Sequence, residues 1–497
     1  MEFIRNFPFF SIILAMFCGI VSSVLKGQWA KRICLAMVTA ELVLSATVLV
    51  YTLHTGESFT YMMGHFPAPW GNEIRAGVLE ALTATGFSAI MLLSLLGGIS
   101  HVFTDVEGTK TNLFFILVDL LMSSLLALIY TNDLFTAYVF VEINTIAACG
   151  LIMIKQDGHG IVAAIRYMVM SLLGSGMFLI SLTLLYDITG HLLMEPAGEA
   201  TAMIQAAGTY DVPLLVVIGL MSVGLAIKSG LYPFHSWIPE TYGYATPASS
   251  AILSSLVSKG YIFLLIKVFY RVLGYGTVIS SGVLNILFVF GLFGMLMGSI
   301  RAIRETDTRR MVAYSSVAQI GYIYMGIGLG TQAGMVAAIF HIFTHAATKS
   351  MLFISAVGLY EVSGGKTDYI SLRGSGYRNR TAGIAFAVGA LSMVGFPMLS
   401  GFISKLLFAT AAVQSPHKMV FTILGLAVST ILNAIYFLRL VISIYSPSER
   451  EYGPDQSHHA SKMLKVSSFL FIVVNLVLGL FSKPIVDSIN AGLGMFL

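Results

Sequence analysis

Lys228 to Glu240 read KSGLYPFHSWIPE, and this stretch decides the architecture. It closes an apolar run long enough to cross a bilayer, yet it holds a lysine, Gly230, and two prolines, Pro233 and Pro239. Proline withholds a backbone donor, and glycine loosens a helix. Inside a membrane the freed backbone groups need polar partners, so such a break belongs where backbone lines a cavity. A second stretch follows the same pattern. Gly395 to Lys405 read GFPMLSGFISK, with Pro397 and Gly401 inside an apolar run and Lys405 at its end.

The surroundings of both breaks are apolar throughout. The chain has 497 residues, 57% hydrophobic and 10% charged, with mean hydropathy +0.85. A soluble domain carries about 25% charged residues, so soluble classes are excluded and nothing points to nucleic acid. The runs are long enough for helices rather than barrel strands. At about 20 residues per span they number about fourteen. The first run, Phe7 to Leu25, lacks a basic leader and reads as a span, not a cleaved signal. The chain ends soon after the last span, with no long C-terminal arm expected.

The expected fold is therefore an all-α polytopic membrane protein, one transmembrane domain over residues 1–497. The two breaks fall in the seventh and twelfth spans. A five-helix repeat crosses the membrane an odd number of times, so its second copy must be inverted. This predicts inverted copies over 113–272 and 277–446, each with one discontinuous helix and a lysine, and flanking helices at both ends.

Loop charges predict the orientation. Alternate loops hold Lys26, Lys31 and Arg32; Lys155; Arg301, Arg304, Arg309 and Arg310; Lys366, Arg373, Arg378 and Arg380; and Arg450, Lys462 and Lys465. The intervening loops are poor in Lys and Arg. The longest, Asp187 to Asp211, has Asp187, Glu195, Glu199 and Asp211 and no Lys or Arg. The positive-inside rule places the first set in the cytoplasm. With an even number of spans in the cell membrane, both termini are expected outside.

Charges inside the spans are the candidates for chemistry. A charge at mid-membrane costs about 2.5–3.5 kcal/mol on insertion scales. Glu142 sits in YVFVEINTIAACG, Lys228 ahead of the first break, and Lys259 behind Ser250, Ser254 and Ser258 in TPASSAILSSLVSKGY. Those serines are at helical spacing and could hold water or pack tightly. His341, His345 and Lys349, in HIFTHAATKS, repeat every four residues, so they share one face about 6 Å apart per step. Two such histidines also fit zinc spacing, but no third ligand or general base accompanies them. Histidine titrates near neutrality, so a proton relay is the expectation and no metal or cofactor is assigned. Lys405 ends the line. His235, just past the first break, is the candidate cytoplasmic proton entry. Asp307, Arg309 and Arg310 read equally well as an ordinary positively charged cap. Cys18, Cys34 and Cys149 lie far apart in apolar context and match no metal or haem spacing.

A Glu–Lys pair can act as a switch. At an effective dielectric of about 20, closing a pair at about 4 Å gains ~4 kcal/mol. Moving one charge against 100 mV costs about 2.3 kcal/mol. Opening and closing a Glu142–Lys228 pair is therefore large enough to drive a proton along Lys228, Lys259, the His341/His345/Lys349 face and Lys405.

These residues carry a resemblance. The mid-helix Glu142, the Lys228 to Pro239 stretch, Thr246 to Lys259, Asp307 to Tyr322, the His341/His345/Lys349 helix and the Gly395 to Lys405 stretch resemble the antiporter-like subunits of respiratory complex I and of Mrp-type multisubunit sodium/proton antiporters. Relatives of these occur in membrane-bound energy-converting hydrogenases. The resemblance covers spans four to thirteen. It implies discontinuous helices seven and twelve, a proton path through the matching glutamate and lysines, other membrane subunits as partners, and protons, with Na+ as a further candidate, as the transported ions. It implies no redox centre in this chain. The missing C-terminal extension departs from the most distal complex I subunit. The stretch NTIAACG after Glu142 leans toward the Mrp or hydrogenase branch. Two other readings are a self-sufficient cation/proton antiporter and a structural or quinone-site subunit without transport of its own.

Overall fold

The computed structural model describes residues 2–66, 71–448 and 461–496. Arg450, one of the loop charges above, lies outside the described residues. Helices α1 (Phe7–Ser23), α2 (Gly27–Thr55), α3 (Val78–Asp105), α4 (Thr111–Tyr130), α5 (Leu134–Met153) and α6 (Gly158–Thr189) follow in order. A two-stranded hairpin, Phe59–Met62 with Glu73–Ala76, precedes α3. The amphipathic α7 (Met194–Ala207) leads to α8 (Asp211–Ser229), the short α9 (Ile238–Tyr244) and α10 (Pro247–Arg271). Then come α11 (Val283–Arg304), α12 (Thr308–Gly328), α13 (Gln332–Glu361), α14 (Arg380–Val394), α15 (Ser400–Val413), α16 (Pro416–Ile444), α17 (Lys462–Leu480) and α18 (Ser482–Gly494).

Among the described residues, twelve helices are long and apolar enough to cross a membrane. This is fewer than the sequence expectation, and the difference has two sources. α12 has 21 residues, but Arg309, Arg310, Ser315, Ser316 and Gln319 lower its hydropathy. α14 and α15 have 15 and 14 residues, each short of a span alone.

At each proline-containing stretch one helix ends and another begins. α8 ends at Gly230, whose φ of +78° suits a residue without Cβ. α14 ends in the same way at Gly395, φ +97°. Side chains cap the later starts. Thr246 Oγ1 accepts from Ser249 N at 3.2 Å at the head of α10. At the head of α15, Asn475 Oδ1 on α17 accepts from Ser400 N at 3.3 Å.

The core is built around α10 and α13. The most apolar 18-residue windows of these two helices are 100% buried, against 28% for the span holding α1 and 33% for α2. Charges on α10 and α13 therefore face protein on every side, while α1 and α2 turn much of their apolar surface outward. α10 also contains a π-turn over Leu253–Val257. Ser250 and Ser258, spaced to share a face, both meet Tyr242: Ser250 Oγ donates to its carbonyl at 2.7 Å, and Ser258 lies 3.1 Å from its hydroxyl.

Candidate functional site

Lys228 lies in the last turn of α8 and is 1% exposed. Its depth comes from close helix contact. A Cβ on Gly174 of α6 would stand 2.8 Å from the Gly224 carbonyl and 2.9 Å from Lys228 Cγ, so glycine at 174 lets α6 and α8 touch. The ammonium donates to Ser171 Oγ at 2.7 Å and to Thr145 Oγ1. It stands 5.1 Å from the centre of the Tyr261 ring.

Glu142 lies one turn before Thr145 on α5 and is half-buried. It acts electrostatically on Lys228, but among the described residues the two form no ion pair within 4.0 Å. One Glu142 oxygen, Oε1, is buried without a hydrogen-bond partner. The two predicted partners are therefore not in contact, and hydroxyls hold the lysine in place of the carboxylate.

Lys259 is fully buried on α10. Its ammonium donates to the Ser254 carbonyl inside the π-turn. π-turns frequently mark functional positions because they free a carbonyl from the helical ladder. His345 is fully buried, and neither ring nitrogen has a protein partner. The positive fields of Lys259 and Lys349 both reach it. Its ring runs parallel to that of His341, at 10° with centroids 6.0 Å apart. No group of three His, Cys, Asp or Glu side chains among the described residues is placed to hold a metal ion.

His341 Nδ1 lies 2.6 Å from Ser404 Oγ, and its ring stacks on Tyr322. The other face of the line reaches Lys405, whose ammonium stands 5.9 Å from the Tyr322 ring centre. It donates to the Val394 carbonyl at 2.7 Å and to Thr430 Oγ1 at 2.9 Å. Val394 is the last residue of α14, so Lys405 neutralises the negative end of a broken helix. Lys349 donates to the Val312 carbonyl at 3.0 Å and to Ser315 Oγ, both on α12.

The structure therefore gathers Lys259, His341, His345 and Lys349 into one buried group, with Lys405 half-buried beside Tyr322. Lys228 and Glu142 stand at its far end, joined to it through aromatic side chains. Tyr261 donates to Asn144 Oδ1 at 2.9 Å, and Asn144 donates to Ser124 at 2.8 Å. Tyr167, Tyr242 and Tyr261 are all fully buried beside one another. Sequence reasoning missed these three tyrosines and also Ser171, because hydroxyl-bearing residues do not stand out in an apolar run as a charge does. It also missed Lys267, fully buried on α10, which donates to the carbonyls of Ile129 at 2.8 Å and Thr131 at 2.5 Å. Its charge is legible, but it sits near a helix end where lysines often reach water.

His235 lies in the link between α8 and α9, half-buried, its ring 5.2 Å from that of Tyr232. Burial holds its imidazole below the usual histidine pKa. Nδ1 has no hydrogen-bond partner. Arg309 is no ordinary cap. Its guanidinium is buried and donates to Ser250 Oγ at 2.8 Å and to the Ala245 carbonyl, tying α12 to the link before α10.

A file of buried cationic and hydroxyl side chains through a helical membrane bundle defines an ion-handling class of membrane protein. Residues 131–432 match the family described as NADH:quinone oxidoreductase/Mrp antiporter, TM, and the chain belongs to that family. It is 29% identical to the N subunit of the NADH-quinone oxidoreductase of Desulforudis audaxviator, over 97% of each chain. It is 26% identical to the D subunit of the Na(+)/H(+) antiporter of Bacillus subtilis, over 97% of this chain and 96% of that one. The identities do not favour the Mrp branch toward which the stretch after Glu142 leans. A chain of the Mrp complex from a Dietzia species has the same fold, with TM-score 0.87 at 22% identity over 99% of this chain and 97% of that one. So does a chain of an archaeal membrane-bound sulfane sulfur reductase, with TM-score 0.89 at 22% identity over 100% and 98%.

Proposed function

We propose that this chain is the proton-translocating membrane subunit of a larger complex. Lys228, Lys259, His341, His345, Lys349 and Lys405 are the stations, Glu142 is the switch and His235 is the entry group. The observation that carries the reading is His345. Buried polar groups are normally hydrogen-bonded, and two unpaired ring nitrogens between two lysines suit a site that exchanges protons with intervening water. The open Glu142–Lys228 arrangement supports the switch, because the lysine already has hydroxyl partners to hold it while the carboxylate is apart. Family membership supports partner subunits, including relatives of the kinds named above. On this reading α14 and α15 form one discontinuous span and α12 another crossing. That gives fourteen spans, inverted repeats over 113–272 and 277–446, and both termini on the outer side.

The test is proton uptake by vesicles containing the assembled complex. Lys228→Ala and Glu142→Gln are each expected to reduce it at least tenfold with assembly intact. Wild-type uptake in both would end the reading. Uptake by the purified chain alone in liposomes would instead mark a self-sufficient antiporter.

A further inference from the structure

The N-terminal helices contain a second set of buried ionisable groups. Glu41 lies midway along α2 and is fully buried, and neither carboxylate oxygen has a hydrogen-bond partner. A buried polar group without a partner is costly, and no neighbour in the fold offsets this one. One turn on, Ser45 Oγ is also buried and unpartnered. The Tyr130 hydroxyl, at the end of α4, completes the group. It is fully buried, has no hydrogen-bond partner, lies against Ser45 and is in the field of both Glu41 and Glu80.

The set extends in both directions. Toward the far face, Asp119 on α4 accepts from Ser22 Oγ at 3.2 Å and is fully buried. The Cys18 thiol stands in the fields of both Asp119 and Glu41. Toward the acidic face, Glu80 on α3 accepts from Gly77 N at 3.0 Å with one oxygen and leaves the other, Oε1, buried and unpaired. Glu80 acts electrostatically on Lys267. Beyond Lys267, Arg75, Arg271, Glu195 and Glu199 line a cavity of about 380 Å³. Two of these, Glu195 and Glu199, belong to α7 in the Asp187–Asp211 connection. Lys267 shares α10 with Lys259 two turns away, about 12 Å along the axis.

We propose that Glu41 is a proton-exchange site at the centre of a second line, Asp119–Glu41–Glu80–Lys267, which opens into the cavity on the acidic face. Each transfer breaks one O–H or N–H bond and forms one on the next carboxylate, amine or bridging water. Each step moves one positive charge along the line with net charge conserved, and no redox partner is needed. Tyr130 and Ser45 supply hydroxyls that can donate to the carboxylate and accept from the carboxyl. The line meets the α5–α8–α10–α13–α15 file only on α10, through Lys267, and its transport readout rests on the reading that the complex moves protons.

The experiment uses the assembled complex in vesicles with two readouts, proton uptake and modification of carboxyl groups by dicyclohexylcarbodiimide, located by mass spectrometry. We expect carbodiimide on Glu41 and at least a tenfold loss of uptake in Glu41→Gln with the complex intact, while Glu41→Asp retains uptake. Wild-type uptake in Glu41→Gln overturns the proposal, and if Lys228→Ala is inactive in the same vesicles, the central reading still stands. If Glu41→Gln fails to assemble, the wild-type protein decides. Labelling of Glu41 in step with loss of uptake supports the site, and an unlabelled Glu41 overturns it. Protection by sodium ions would overturn the proton assignment in favour of a sodium site.

Discussion

Lys228 and Lys405 each stand beside a break in an apolar helix, but the protein supports their charges differently. Lys228 is almost wholly buried, held by two hydroxyls from α5 and α6, with the Glu142 carboxylate one turn from its nearest partner. Lys405 is half-buried and rests on a helix C-terminus and one threonine. Hydroxyls and a movable carboxylate make a site whose energy can change by several kcal/mol on a small displacement. A fixed carbonyl makes one that stays put. On the proposed reading, this difference suits switching at the first break and a resting, terminal station at the second.

The largest expected effect follows from that asymmetry. Lys228→Ala should reduce proton uptake by about 100-fold, the scale on which a positioned acid–base group contributes. Lys405→Ala should cost about tenfold on the same scale, because it rests on a fixed carbonyl and a threonine and has no carboxylate partner to switch. Both are read as initial rates in vesicles with equal amounts of complex. Equal losses would remove the distinction between the two ends.

The glycines at the breaks test the same comparison in the backbone. A Cβ at Gly401 would lie 1.8 Å from the Ser392 carbonyl oxygen, a backbone atom. At Gly230 it would lie 2.3 Å from Ile238 Cδ1, the far end of a flexible side chain, with left-handed φ as the further penalty. Gly401→Ala should therefore cost about 3 kcal/mol, the upper end for overpacking. Gly230→Ala should cost about 1–2 kcal/mol, the scale of a non-glycine residue in that conformation. The thermal midpoint of the purified complex should fall further for Gly401→Ala. The reverse order would mean that the second break is the more adaptable one.

How much is legible in the sequence follows from the cost of each group in a membrane. Glu142, Lys228, Lys259, Lys349 and Lys405 are readable because a charge in an apolar run requires an account. The four-residue repeat places His341 and His345 on the face with Lys349. The breaks are readable from Pro233, Pro239, Pro397 and Gly401. The π-turn in α10 is not, because Ser250, Ser254 and Ser258 have the spacing of a regular helix and the extra residue leaves no compositional mark. Tyr167, Tyr242 and Tyr261 are invisible for another reason. A tyrosine is at home in an apolar core, and only its neighbours show that it links Lys228 to the rest. Glu41 and Asp119 carry the same kind of signal as Glu142, each a lone acid within an apolar run. No break or basic partner in the sequence draws attention to their helices, so they escape notice until the fold packs those helices together. The hairpin and the amphipathic α7 read only as loop.

The smallest effect separates the two breaks by how their second halves begin. The helix after the first break, α9, has Trp237 at its cap position and no side-chain cap, and Pro239 in its first turn leaves one donor fewer to satisfy. The helix after the second has Leu399 at its cap position, which offers no acceptor, and depends on Asn475 from α17. Asn475 also accepts from Ser400 Oγ at 3.1 Å and donates to Thr348 Oγ1 at 2.7 Å, beside Lys349. One amide thus ties the start of α15 to the helix that carries the histidines. Asn475→Ala should cost about 1 kcal/mol, the usual value of a lost cap, and should raise hydrogen exchange at the first turn of α15 while leaving that of α9 unchanged. Asn475→Asp keeps the acceptor for Ser400 and should keep that first turn protected. If exchange rises equally in α9 and α15, the second break is not held separately, and the contrast between an uncapped first break and a remotely anchored second one fails.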